Sequence, residues 1–171
     1  MSTWLAVRVI GTFLLLITVF FFVLTYDPIL KVVDIGAGLA QLSAFLSYGV
    51  LKVIGFFGGF PVHKMHTIMG SGSFEVDVAP ACSGAVPTSI YMAAVFAYPS
   101  SWRSRLLGAA LGIVTIQIVN IIRVSALFLI GLFFHEIFHD THVYVAQALV
   151  VCVAVALWLY WVTRYADAPA H

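Results

Sequence analysis

Charge is what this chain lacks most. Of its 171 residues only 9% are charged, eight of them basic and seven acidic, against about 25% in an ordinary soluble domain. So few charges cannot cover a globular surface in water. The two signs nearly cancel, and a net charge of +1 leaves no basic footprint for nucleic acid. Cysteine is also scarce: Cys82 and Cys152 are the only two, too few for a disulfide scaffold. Apolar residues make up 63% of the chain, which excludes disorder. What remains is one integral membrane domain over residues 1–171, embedded in a lipid bilayer, with length for about four to six spanning helices of roughly 20 residues each.

The apolar runs set the architecture. Trp4 to Tyr26 is too long for a signal-peptide core and ends without a small-residue cleavage site, so it reads as a retained anchor helix. Residues 29–60 are apolar but carry Asp34, Gln41, Tyr48 and Lys52 at helical spacing, which predicts one polar face. Pro61 to Pro80 is the longest polar stretch. Within it Ser73 to Val78 alternates with period two after Gly70-Ser71-Gly72, predicting a small hairpin that must lie outside the hydrocarbon. A short helix over 83–98, a span over 106–134 and a last span over 143–162 complete the chain. The expected fold is an all-α polytopic bundle of four to five spans, one of them interfacial or re-entrant, with a small extracytoplasmic hairpin.

Arginines orient these pieces by the positive-inside rule. Arg103 and Arg105 place the 99–105 connection in the cytoplasm, Arg164 places the C-terminus there, and Arg8 argues for an N-terminus inside. Cys82 and the 135–142 connection then face outward. These placements agree only if 29–60 does not cross fully but lies at the outer interface or re-enters. Five full spans with the N-terminus outside is the competing topology.

Three places carry chemistry. Cys82, in Ala79-Pro80-Ala81-Cys82-Ser83-Gly84, precedes a predicted helix, where the helix dipole favours a thiolate nucleophile; a small buried cysteine at a turn is the plain alternative. Arg123 lies within a span, a costly position that marks function unless the side chain snorkels to headgroups, and Gln117, Asn120 and Arg123 share one helix face. His135 to His142 contains His135-Glu136-x-x-His139, the zinc-protease pattern, which needs a third ligand such as His63 or His66. A wet interfacial loop accounts for most of these histidines otherwise. The charge-derived topology brings Cys82, Arg123 and His142 to the same outer level. A thiolate, a guanidinium and an imidazole there suit acyl transfer: attack on a carbonyl, stabilisation of developing negative charge, and proton movement.

Ala81-Cys82-Ser83-Gly84, Asn120-Ile121-Ile122-Arg123-Val124 and His142 to Leu149, in this order and spacing, resemble the exosortase/archaeosortase family of membrane cysteine transpeptidases over about residues 40–163. The short length is most similar to the exosortase H type. The resemblance implies a catalytic Cys82, Arg123 and His142, supported by Ser83, Gly84 and Asn120, with neither metal nor other cofactor. The implied partners are exported proteins bearing a C-terminal sorting tail: a short motif, a hydrophobic helix and a basic end. The enzyme would cut near the motif, hold the substrate as a thioester and pass it to an acceptor at the outer face of a bacterial inner membrane. Length is the departure, since the larger members carry additional N-terminal spans. Two other functions stay open on the residues alone: a membrane zinc protease built on His135, Glu136 and His139, and a non-enzymatic transport or assembly subunit using Arg123 as an ion-pair or pathway residue.

Overall fold

The computed structural model describes residues 3–26, 34–72, 74–134, 136, 138 and 146–166. Helices dominate: α1 (Thr3–Thr25), α2 (Ile35–Gly58), α3 (Ala85–Ala97), α4 (Trp102–Phe133) and α5 (Ala146–Arg164). Between α2 and α3 lie three short strands, β1 (His63–Met65), β2 (Ile68–Ser71) and β3 (Phe74–Asp77), and a 3₁₀ turn at Pro80–Cys82. Among the described residues four helices, α1, α2, α4 and α5, are long and apolar enough to cross a bilayer. The all-α polytopic membrane fold expected from the sequence is therefore present. Helix α3, with 13 residues, reaches only about 20 Å and falls short of the roughly 30 Å hydrocarbon core.

The chain divides into two compact units. One comprises residues 1–34, 86–116 and 152–171, the other 35–85 and 117–151. In the first, α4 presents Gly108 and Gly112, a four-residue spacing of small residues that lets neighbours approach the backbone. A side chain at Gly112 would collide with the Tyr91 ring of α3, and one at Gly108 with the Trp161 indole of α5. The polar tips of these buried aromatics are satisfied. Tyr91 donates to the Gly108 carbonyl at 3.1 Å and the Trp161 indole to the Ser104 carbonyl at 2.9 Å. Tyr98 packs edge-on against Trp158 and Trp161.

In the second unit the strands form an antiparallel sheet in the order β1-β2-β3. The alternating Phe74–Asp77 segment is the predicted strand, but the hairpin has grown into a three-stranded meander. Gly70, expected in the turn, lies inside β2 opposite His63 and Glu75. His63 Nε2 and Glu75 Oε1 lie 3.5 Å apart, and any side chain at Gly70 would strike both residues. The turn itself uses Gly72, whose φ of 61° suits glycine. Met69 and Val78 bury against Ala44 and Leu51 of α2 and Val124 and Phe128 of α4. The Phe74 ring meets Phe128 at 5.7 Å and fills the space over Gly131.

Helix α2 buries a face of mainly small residues, and of its polar stripe Tyr48 packs against the core. Ala40, Ser43, Ala44, Ser47, Leu51 and Gly55 point inward, while Gln41 and Lys52 are exposed. The inward stripe is of small residues, which fixes a close approach to α4: Ser47 Oγ reaches the Ile121 carbonyl at 3.4 Å. The cluster that seats α2 on α4 uses Val124, Phe128, Leu129 and Leu132, all in the C-terminal third of that helix. Helix α4 also starts earlier than expected. Arg103 and Arg105 lie in its first turn, where Ser101 Oγ accepts the Ser104 N–H at 3.4 Å and caps the helix.

Candidate active site

Cys82 closes the 3₁₀ turn begun by Pro80, and two residues then redirect the chain into α3. Ser83 is fully buried; its hydroxyl donates to the Pro80 carbonyl at 2.6 Å and accepts the Ala85 N–H at 3.2 Å. Gly84 has φ +77°, a left-handed conformation that costs an L-residue roughly 1–2 kcal/mol. A Cβ at this glycine would lie 3.2 Å from the Gln117 amide nitrogen and 3.3 Å from Asn120 Cγ. Serine and glycine are thus the residues this turn requires, one to bond both flanks and one to let α4 come close.

Gln117, Asn120 and Arg123 do share one face of α4, and that face meets the cysteine turn. Asn120 is fully buried and every polar atom of its amide is used. Its Nδ2 donates to the Cys82 carbonyl at 3.0 Å and to Ser43 Oγ at 3.4 Å, while its Oδ1 accepts from Arg123 Nη1 at 3.3 Å. Arg123 Nη2 approaches Cys82 Sγ at 3.9 Å. Arg123 is 6% exposed, and among the described residues no carboxylate pairs with it and its Nε has no partner. A cleft of about 310 Å³ opens over Cys82 and Arg123, walled by Val76, Asp77 and Val78 and by Leu127. Its walls are mainly apolar, and Arg123 and Asp77 are the charged residues that line it.

Ser43 is a member of this network that sequence reasoning missed. It accepts from Asn120 and donates to the Ser83 carbonyl at 3.4 Å, tying α2 to both halves of the site. A signal for it existed in the small-residue spacing Ala40, Ser43, Ala44, Ser47, which the more conspicuous polar residues of α2 obscured. His142, the third expected catalytic residue, lies outside the described residues, as do His135, His139 and Asp140. Glu136 is described and exposed. Of the suggested zinc ligands, His63 is occupied with Glu75, and among the described residues no three His, Cys, Asp or Glu side chains converge to hold a metal. Cys152 is exposed on α5, far along the chain from this network.

The fold and this geometry define a multi-pass membrane protein with a thiol and a buried guanidinium facing one cleft. The chain matches the family model of the transmembrane exosortases (Exosortase_EpsH) over residues 2–161, and it belongs to that family. A search of curated proteins and a search of solved structures each found no match.

Proposed function

We propose that the protein is a membrane-embedded cysteine transpeptidase that processes C-terminal sorting tails of exported proteins at the outer face of a bacterial inner membrane. The observation that carries this reading is the state of Arg123: a buried cation whose partners are a neutral amide and the Cys82 sulfur. A charge in such a position is costly. It becomes useful when an anion forms beside it, as happens at the carbonyl oxygen when a thiolate attacks a peptide.

The steps follow from these groups. Cys82 Sγ, as thiolate, adds to the carbonyl carbon of the scissile peptide. Arg123, held by Asn120, donates to the resulting oxyanion. The tetrahedral species collapses by breaking the C–N bond, and the leaving amine takes its proton from His142 acting as imidazolium, a role that rests on the family resemblance. The N-terminal part of the substrate is then a thioester on Cys82. An acceptor amine or water, deprotonated by His142, attacks that thioester and releases the thiol. The substrate's own hydrophobic helix keeps it in the same bilayer, so the reaction is effectively intramolecular within the membrane.

The outer placement is supported by distances along α4. From Trp102, Arg123 lies about 32 Å up a helix rising 1.5 Å per residue, close to the full thickness of the hydrocarbon core. With the arginines of its first turn in the cytoplasm, α4 delivers Arg123 to the outer boundary. Co-expression with an exported protein carrying such a tail, followed by its size on a gel, tests the reading. Cys82→Ala and His142→Ala abolish processing, while His139→Ala and Glu136→Gln leave it. Loss with Glu136→Gln and with chelators, but not with Cys82→Ala, would instead establish the zinc protease.

A further inference from the structure

A second basic site lies in the unit formed by residues 1–34, 86–116 and 152–171, well away along α4 from the cysteine cleft. There Arg8 of α1 and Arg105 of α4 line one cleft of about 430 Å³ with Thr12, Phe96 and Pro99. Each guanidinium sits over a tryptophan near the start of its own helix: Arg8 over Trp4 at 5.7 Å, Arg105 over Trp102 at 5.4 Å. Among the described residues neither has a carboxylate within salt-bridge distance, and Arg105 Nε is buried without a partner. Two cations facing one cavity repel each other unless something negative lies between them. The Thr12 hydroxyl, which donates to the Arg8 carbonyl at 2.8 Å, is neutral and supplies no such charge.

We infer that Arg8 and Arg105 hold the phosphate of an anionic phospholipid of the cytoplasmic leaflet. A phosphate offers oxygens to two guanidinium forks at once, and arginine is suited to that geometry. The location argues for a lipid. The cleft lies between the N-terminal parts of two helices long and apolar enough to cross the membrane, each with a tryptophan in its first turn of the kind that marks the headgroup level. Apolar Leu5 and Val9 on one side and Phe96 on the other flank it, as acyl chains require. Basic pockets between helices on the cytoplasmic side are where anionic headgroups bind. Bound there, the lipid would tie α1 to α4. Helix α1 has no residue buried in the structure, so it has little else among the described residues to hold it.

The test is thermal unfolding of the full-length protein in a neutral detergent, with phosphatidylglycerol, phosphatidylcholine or inorganic phosphate added. Phosphatidylglycerol raises Tm by roughly 5–11 °C at a hundred-fold excess over Kd, and phosphatidylcholine leaves it nearly unchanged. Arg8→Gln removes the rise; because Arg8 is exposed on α1, this variant folds even if Arg105→Gln does not. An equal rise with inorganic phosphate, also lost in Arg8→Gln, supports the phosphate site but assigns it to the free anion and overturns the lipid. Equal stabilisation by both lipids, or an undiminished response in Arg8→Gln, overturns the site itself.

Discussion

Asn120 is the residue on which the geometry of the cysteine cleft turns. Its amide bonds the Cys82 backbone, Ser43 and the Arg123 guanidinium together, so the cysteine turn and the cation are held by one side chain. Replacing it with alanine leaves a buried carbonyl and a charged donor unpaired, at about 1–3 kcal/mol each. Asn120→Ala therefore lowers processing sharply while Cys82 still labels with a maleimide, which separates mispositioning from loss of the thiol. Arg123→Lys keeps the charge but loses the planar fork, so no pair of separate nitrogens is aimed at Asn120 and at an oxyanion. A loss of roughly 10²-fold in processing rate is expected, measured as the half-time of substrate cleavage. Gly84→Ala introduces both a left-handed alanine and contacts tighter than van der Waals with α4. It destabilises the protein by at least about 1–2 kcal/mol, read as a lower Tm. Cys82, Arg123 and Asn120 were legible in the sequence because chemistry-bearing residues stand out in a chain so poor in charge. Ser43 was not, because serine at helical spacing among alanines looks the same whether it fills space or holds an amide.

At the scale of elements, hydropathy reveals the helices but not which face each one buries. The polar residues of α2 mark one face, but the face it buries is a stripe of alanine, serine and glycine around Leu51. Small residues govern helix approach in membrane proteins, and they leave little trace in a polar/apolar pattern. The sheet was half legible for a related reason. Only β3 alternates cleanly, while β1 and β2 are a three- and a four-residue strand held by pairing and by Gly70. Whether α2 crosses the membrane is a question its length cannot answer, since 24 residues suffice. Its packing answers better. Its partners Asn120, Ile121, Val124 and Phe128 lie in the C-terminal half of α4, the half that the proposed topology puts at the outer side. Single cysteines at Gly38 and Phe57, both exposed near opposite ends of α2, placed in a background lacking Cys82 and Cys152, should both label with an impermeant maleimide from outside. Labelling of one end from outside and the other only after lysis would establish a full crossing.

For the whole molecule, the scarcity of charge becomes informative. Four arginines, Arg8, Arg103, Arg105 and Arg164, lie in the unit containing both termini, in or near the first or last turn of a helix. Arg123 is the basic residue buried in the middle of a helix, and it faces the thiol. The family match spans nearly the full chain, and the residues around the cleft over Cys82 lie within it. The most direct test is the intact mass of the enzyme purified after short exposure to a substrate bearing a sorting tail. The wild type should carry an added mass equal to the substrate's N-terminal fragment, released by hydroxylamine as a thioester is, and Cys82→Ala should carry none. An unmodified wild type, with Cys82→Ala cleaving the same substrate at an equal rate, would contradict a covalent cysteine mechanism.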